Sequence, residues 1–188
     1  GKSTLLRIAG GMLRPSAGSA TIDSQKIWDR AKALGKLCII GDTPDFGRLR
    51  KIKDLFFVCG GLFPDWDNAL ALALVKRFDL PGNRKIKTFS RGMQTSLMLA
   101  VGLASNAPLT IIDEPSLGLA PKIIVEILSL IQTLNGRGTA VLLVEQNAVA
   151  ALQISHRAYV METGRITRSG NAAVLRNDPS IRAAYLGG

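Results

Sequence analysis

The sequence predicts a layered α/β domain. Short apolar runs alternate with helical patterns along the chain, an arrangement that produces a largely parallel sheet covered by helices. The length of 188 residues is that of one domain. Apolar residues make up 47% of the chain and charged residues 20%, which is enough apolar material to bury a core. We therefore expect a single α/β domain over residues 1–188.

The predicted elements follow from periodicity and from the residues that end each one. A helix over 4–13 is expected to stop before Pro15, and a helix over 92–105 follows Ser90, whose hydroxyl suits an N-cap position. Residues 109–113 (LTIID) have the apolar character of a buried parallel strand. The other expected elements are strands at 19–23, 37–41 and 139–144, helices at about 52–60, 67–78, 121–134 and 147–155, a turn at 136–138, and a hairpin across Thr163 and Gly164 followed by helical turns.

Charge and cysteine content exclude several classes of function. The chain has 24 Lys and Arg against 14 Asp and Glu, a net charge of +10, which fits nucleic acid, anionic lipid headgroups or a polyanionic small molecule. Cys38 and Cys59 are too few for a disulfide framework or a zinc-ligand set. His156 is the one histidine, so a histidine-based metal site and a Ser-His-Asp triad are disfavoured. No apolar run approaches the roughly 18–20 residues of a membrane-spanning helix, and a cytoplasmic location is the default.

The first motif is at the start of the chain. Gly1, Lys2, Ser3 and Thr4 match the end of the phosphate loop, G-x-x-x-x-G-K-[ST]. Glycine lets backbone N–H groups approach phosphates, lysine reaches the β and γ oxygens, and the hydroxyl of Ser3 suits Mg²⁺. The start of a helix adds the positive end of its dipole. This motif predicts a nucleotide-phosphate site, and the alternative is a polar chain start without one.

The second motif is an acidic pair at the end of a predicted strand. Asp113 and Glu114 follow the apolar run at 109–112, and ligands bind at the carboxyl ends of strands in open α/β sheets. Asp113 is expected to hold Mg²⁺, directly or through water. Glu114 is expected to polarise the attacking water in phosphoryl transfer. The alternative is an acidic turn without a catalytic role.

The third motif lies between the other two and reads FSRGMQ. Ser90, Arg91 and Gly92 open a predicted helix with a hydroxyl, accessible N–H groups and a helix dipole, all of which suit a γ-phosphate. The alternative is an ordinary N-cap with a glycine in the first turn.

The order of GKST, FSRGMQ, LTIIDEP and SLGLAP resembles the ATP-binding-cassette (ABC) ATPases over nearly the whole chain. The resemblance implies a P-loop NTPase core sheet with a helical subdomain at about 46–105. It also implies a head-to-tail dimer that holds two ATP molecules, with each phosphate loop facing the partner's signature motif. The residues assigned by this resemblance are Gly1, Lys2, Ser3 and Thr4 in Walker A, Ser90, Arg91 and Gly92 in the signature, Asp113 and Glu114 in Walker B, and 117–120 in the D-loop.

The sequence departs from the family pattern in several places. The family's Walker A begins before Gly1, so the first strands of the fold are expected to be missing. The signature reads FSRGM where the consensus is LSGGQ. No glutamine lies between Walker A and the signature; Asp45 is the best counterpart and candidate Mg²⁺ ligand, with Asp42 the runner-up. Gln146 replaces the switch histidine and can donate a hydrogen bond to a γ-phosphate, but it carries no titratable proton. His156 is expected to be a surface or packing residue.

The resemblance implies an ATP-binding and ATP-hydrolysing subunit of an ABC membrane transporter. Its cofactors are ATP and Mg²⁺, and its partners are separate permease subunits and a second ATPase subunit, with no nucleic acid. It is expected at the cytoplasmic face of the membrane. The C-terminal third resembles branched-chain amino-acid uptake ATPases, whereas the middle resembles an exporter-type subfamily. The alternatives are a soluble cassette ATPase acting on nucleic acid or ribosomes, and a non-catalytic truncated cassette.

Overall fold

Strands and helices alternate along most of the chain, which confirms the α/β class. The computed structural model describes residues 1–28, 31–41, 46–47, 49–117, 119 and 121–186, except for the side chains of 31, 32 and 186. The strands are β1 (Thr21–Ile22), β2 (Gln25–Lys26), β3 (Leu37–Ile40), β4 (Leu109–Asp113), β5 (Ala140–Val144), β6 (Arg157–Glu162) and β7 (Arg165–Asn171). The helices are α1 (Lys2–Ala9), α2 (Ala31–Leu34), α3 (Ile52–Leu62), α4 (Asn68–Arg77), α5 (Arg91–Ala104), α6 (Pro121–Gly136), α7 (Ala148–Ile154), α8 (Ala172–Asn177) and α9 (Pro179–Ile181), with a 3₁₀ turn at Ile86–Thr88 and a π-helical turn at Arg182–Leu186.

The central sheet has the strand order β3-β4-β5, and both neighbouring pairs are parallel. The register pairs Asp113 of β4 with Val144 of β5, so the carboxyl ends of these strands are level. Ile111 and Ile112 are fully buried because β4 lies between the other two strands. The residues that follow β4 and β5 therefore emerge at the same edge, which is the edge where ligands bind in open α/β sheets.

The helix predicted at 4–13 is shorter in the structure, where α1 ends at Ala9. The prediction that Pro15 ends this helix was wrong. Gly11 has a φ of +69°, and a Cβ on it would lie 2.6 Å from the Leu34 side chain. Both the backbone conformation and the available space therefore require a glycine where the chain leaves α1.

Two tight hairpins lie outside the central sheet, one predicted and one missed. β6 and β7 pair around Thr163 and Gly164, whose φ values of 48° and 79° are left-handed, and this confirms the predicted hairpin. The strand predicted at 19–23 is instead the pair β1 and β2, which turns at Asp23 and Ser24 with φ values of 48° and 63°. Short polar side chains of this kind favour turns because they hydrogen-bond the local backbone.

Helices α3, α4 and α5 lie between β3 and β4 in the chain. One buried cluster joins residues of α3 and α5 to residues of β3, β4 and α6, so these helices share a core with the sheet. The predicted N-cap is confirmed, since the Ser90 hydroxyl oxygen accepts the Met93 N–H at 3.2 Å. On the outer side of α3, Phe57 is 85% exposed. Among the described residues, no helix combines the length and apolar character needed to cross a bilayer.

Candidate active site

Three of the predicted site residues meet at the carboxyl edge of the sheet, and we call Lys2, Glu114 and Gln146 the Glu114 cluster. Because α1 packs against β4, the Lys2 ammonium lies 3.3 Å from Glu114 Oε1. The side-chain amide nitrogen of Gln146 lies 2.7 Å from each carboxylate oxygen of Glu114. The carboxylate is thus held between a cation from α1 and an amide donor from the loop after β5.

The backbone of Glu114 directs its side chain into this cluster. Its N–H donates to the Val144 carbonyl at 2.8 Å, which extends the pairing of β4 with β5 by one residue. Its φ is +47°, a conformation that costs a non-glycine residue on the order of 1–3 kcal/mol. The Glu114 side chain is 14% exposed, against 37% for Lys2. A strained turn therefore places a largely buried carboxylate beside a more accessible cation.

The first turn of α1 supplies groups that suit a phosphate. Gly1 is the N-cap of α1, and no side chain caps its first turn. The side chains of Ser3 and Thr4 are exposed in that turn. Uncapped N–H groups at a helix start, two hydroxyls and the Lys2 ammonium are the donors that bind phosphate oxygens.

The donor set also fits a magnesium ion that arrives with a nucleotide. Asp113 ends β4 with a half-buried side chain, and the Ser3 hydroxyl belongs to α1. The described residues contain no cluster of three or more His, Cys, Asp or Glu that would hold a metal by itself. Mg²⁺ needs no such cluster, since it binds one or two carboxylates together with phosphate oxygens and waters. Asp45 and Asp42, the two candidates for a further ligand, lie outside the described residues.

The signature residues lie at the start of α5, where Ser90 is the N-cap. Ser90 and Arg91 are exposed, and Gly92 is half-buried. In the part of the chain that the structure describes, no hydrogen bond or ion pair joins these three residues to the Glu114 cluster. A Cβ on Gly92 would lie 3.3 Å from Leu119 Cδ2, so α5 begins against the D-loop of the same chain.

Sequence reasoning missed Glu145, which follows β5 as Glu114 follows β4. Its carboxylate accepts the N–H groups of Ser116 at 3.2 Å, Gln146 at 2.9 Å and Asn147 at 3.2 Å. The register of β4 and β5 places Glu114 and Glu145 next to each other, but this register is a property of the folded sheet that the sequence does not mark.

The fold and the site together define a class of protein. A parallel sheet carries an aspartate–glutamate pair at its carboxyl edge, and a lysine at the start of a helix contacts the glutamate of that pair. This is the arrangement of P-loop nucleoside triphosphatases. His156 is exposed and lies outside the Glu114 cluster, as the sequence predicted.

Comparison with known proteins identifies the family. The profile of the ABC transporter family matches residues 1–117. The branched-chain amino-acid transport ATP-binding protein BraG of Pseudomonas aeruginosa is 36% identical over 197 aligned residues, which cover all of this chain and 84% of BraG. The lipopolysaccharide export ATP-binding protein LptB of Haemophilus influenzae is 28% identical, with coverage of 100% and 81%. The daunorubicin resistance ATP-binding protein DrrA3 of Streptomyces coeruleorubidus is 31% identical, with coverage of 94% and 58%. The chain belongs to the ABC transporter family and is an ATP-binding, ATP-hydrolysing subunit of that family.

Solved structures share the fold. The ATP-binding subunit of an ABC transporter superposes with a TM-score of 0.83 over 99% of this chain and 80% of that one, at 23% identity. The dimeric cassette MJ0796, in a post-hydrolysis state bound to ADP and Pi, gives a TM-score of 0.76 at 24% identity and covers 92% of this chain and 81% of its own.

Proposed function

We propose that this chain hydrolyses Mg-ATP at the Glu114 cluster and thereby powers solute transport through separate permease subunits. The position of Glu114 between Lys2 and Gln146 carries this proposal. A carboxylate at the carboxyl edge of the sheet, close to a lysine that can contact phosphates, is well placed to act on the water that attacks the γ-phosphate.

The start of α1 binds the phosphates. The N–H groups of the first turn, which begins at Gly1, and the hydroxyl of Thr4 donate to phosphate oxygens, and Lys2 contributes a point charge. Ser3 and Asp113 are the residues that would hold Mg²⁺, through their side-chain oxygen atoms. When bound, this ion neutralises charge on the β- and γ-phosphate oxygens.

Glu114 and Gln146 divide the work on the water. Glu114 accepts a hydrogen bond from the attacking water and receives its proton as the bond from water to the γ-phosphorus forms and the bond from that phosphorus to the bridging oxygen breaks, which leaves ADP and inorganic phosphate. Gln146 donates through its amide and cannot take up a proton, so its part is to orient Glu114 or an oxygen of the γ-phosphate. The two short contacts between Gln146 and Glu114 support this pairing.

The second half of each ATP site comes from another cassette subunit. Ser90 and Arg91 are exposed at the start of α5, where a phosphate bound to a second subunit can reach them. The dimeric structure of MJ0796 supports this arrangement, because it has the same fold.

The permease docks on the helical subdomain at about 46–105. Phe57, Leu62 and Leu72 of α3 and α4 are 85%, 61% and 54% exposed. An open groove beside them is lined by Lys53 and Trp66 among largely apolar neighbours. Exposed apolar groups that cluster in this way mark interaction surfaces.

This docking places the subunit at the cytoplasmic face of a membrane, with the basic residues Arg50, Lys51 and Lys53 at the start of α3 toward the anionic lipid. The relatives are named for branched-chain amino-acid transport, lipopolysaccharide export and daunorubicin resistance. We therefore assign the choice of cargo to the permease.

Glu114→Gln tests the catalytic proposal. We expect ATP turnover by the purified protein, measured as phosphate release, to fall about 10²–10⁴-fold while ATP binding persists, since a general base is lost and the phosphate donors remain. Glu162→Gln is the matched control, because the Glu162 carboxylate accepts a hydrogen bond from the Tyr185 hydroxyl outside the Glu114 cluster. Unchanged turnover in Glu114→Gln would refute the assignment, and turnover that requires nucleic acid would favour the alternative class.

Phe57→Ser tests the docking surface. We expect the variant to keep its own ATP turnover but to lose co-purification with a permease that co-purifies with the wild-type protein. Val125→Ser on α6 is the control, since Val125 is 69% exposed outside the proposed surface. Equal recovery of the permease with both variants would refute the docking site.

A further inference from the structure

We propose that Glu145 is a positioning residue for ATP hydrolysis. Its carboxylate fastens the segment after β4 to the segment after β5, and this holds the Gln146 amide on Glu114. The inference rests on the roles proposed above for Glu114 and Gln146.

The register of the sheet puts two glutamates side by side with different surroundings. Asp113 pairs with Val144, so Glu114 and Glu145 are the next residues on neighbouring strands. The Glu114 carboxylate contacts the side chains of the Glu114 cluster. The Glu145 carboxylate accepts backbone N–H groups, and among the described residues it takes part in no ion pair. Glu145 therefore acts on the backbone and not on a charged partner.

Both carboxylate oxygens of Glu145 are used. Oε2 accepts the N–H of Ser116 at 3.2 Å, and Oε1 accepts the N–H groups of Gln146 at 2.9 Å and Asn147 at 3.2 Å. Ser116 is 8% exposed, so removal of the carboxylate would leave its N–H with little access to water. One side chain thus joins two segments that are 29 residues apart in sequence.

These bonds fix the backbone from which Gln146 reaches Glu114. The Gln146 side chain is exposed, and an exposed side chain holds one orientation only when its backbone is held. Glu145 binds the N–H of Gln146 and that of Asn147, and the Asn147 side chain caps α7 by accepting the Ala150 N–H at 3.1 Å. Gln146 therefore projects from an anchored turn toward Glu114.

The same carboxylate also holds the turn that contacts the signature helix. The Ser116 carbonyl accepts the Leu119 N–H at 3.2 Å, and the Leu119 side chain lies against Gly92 at the start of α5. Glu145 thus anchors the D-loop and Gln146 together, so a displacement of either segment is transmitted to the other.

Glu145→Ala and its double mutant with Gln146→Ala test the inference. We expect Glu145→Ala to lower kcat about 10- to 100-fold with a smaller change in KM for ATP, because misplacement of a catalytic group by about 1 Å costs on this order. Gln146→Ala should lower kcat as well, and the double mutant should be no slower than the slower single mutant, since both changes remove the same interaction. Glu145→Gln keeps one acceptor oxygen, so its kcat should lie between that of wild type and that of Glu145→Ala. Glu162→Gln again serves as the control.

Hydrogen exchange gives a readout that does not depend on turnover. In Glu145→Ala the amides within 114–119 and 145–149 should exchange faster, while those of β3 and α5 are unchanged. Unchanged exchange in both segments, a wild-type kcat in either single mutant, or kcat effects that multiply in the double mutant would each overturn the inference. A wild-type protein without ATP turnover would refute the proposed function, and the exchange measurement would still decide whether Glu145 joins the two segments.

Discussion

Replacing Gln146 with glutamate converts an attractive contact into a repulsive one with almost no change in shape. The Gln146 amide nitrogen lies 2.7 Å from both carboxylate oxygens of Glu114, so Gln146→Glu loses two donor bonds and places two negative charges at that separation. Coulomb's law at 2.7 Å gives a repulsion of about 1.5 kcal/mol at the dielectric constant of water and about 6 kcal/mol at an effective value of about 20. Because Gln146 is exposed, solvent screening and rotation of the new side chain keep the effect near the lower value.

Urea denaturation of wild type, Gln146→Glu and Gln146→Ala at pH 7 measures this repulsion. Gln146→Ala removes the donors without adding a charge, so the difference between the two variants isolates the charge. We expect Gln146→Glu to have a free energy of unfolding about 1.5–2 kcal/mol below that of Gln146→Ala at pH 7 and low salt.

Ionic strength gives an independent check of the same contact. The Debye length falls from about 30 Å at 0.01 M salt to about 3 Å at 1 M, so the deficit of Gln146→Glu should shrink over this range. If Gln146→Glu is as stable as Gln146→Ala at pH 7 in 0.01 M salt, the two side chains do not face each other in solution. The catalytic pairing of Gln146 with Glu114 would then lose its support.

Two further predictions concern the signature glycine and the buried thiols. Gly92→Ala should change the free energy of unfolding by less than about 1 kcal/mol, because its Cβ would meet only the end of the Leu119 side chain at 3.3 Å. The same methyl group should lower ATP turnover, because it obstructs the approach of a phosphate to the start of α5. A thermal melt measures the first effect and a phosphate-release assay the second. Burial raises the pKa of Cys38 to about 12 and that of Cys59 to about 11, from an ordinary value of 9.0. Because the folded state keeps both thiols protonated, their contribution to the free energy of unfolding is complete below pH 9 and is lost as the pH rises toward 11–12. The loss is up to about 1.4 kcal/mol per pH unit for each thiol. Urea denaturation under reducing conditions from pH 8 to 10.5 should show this decline, with a shallower slope in Cys38→Ala.

Local interactions explain which elements the sequence predicted correctly. The Ser90 cap depends on a hydroxyl and an N–H three residues apart, and the hairpin at Thr163 and Gly164 depends on two adjacent residues. The helices and strands from 37 to 155 accordingly end within about two residues of their predicted bounds. At the end of α1, Pro15 was the predicted stop signal, but the helix already ends at Ala9, where Gly10 is the C-cap and the left-handed Gly11 follows; sequence reasoning overlooked this local signal.

The predictions about the candidate site divide between residues that local rules identified and contacts that depend on the folded arrangement. Helix-start and strand-end rules predicted a phosphate site at Lys2 and a catalytic carboxylate at Glu114, and the resemblance to ABC ATPases joined the two in one site; the structure brings them to 3.3 Å. The short contact of Gln146 with Glu114 could not be predicted from spacing, because it depends on the relative orientation of two loops. The partners of Glu145 are backbone N–H groups, which leave no residue pattern in the sequence.

The register of β4 and β5 explains why two neighbouring glutamates have different environments. Glu114 donates its N–H to Val144 with a left-handed φ of +47°, and this turn directs its carboxylate toward α1 and Lys2. Glu145 lies two residues before Asn147, the N-cap of α7, so its carboxylate meets the N–H groups of Gln146 and Asn147 and that of Ser116 across the edge. A carboxylate surrounded by backbone donors is held in place, whereas one between an ammonium and an amide can exchange those contacts for water and phosphate. The register thus sets Glu114 and Glu145 at neighbouring strand ends in different surroundings, and a shift of one residue would separate the two carboxylates.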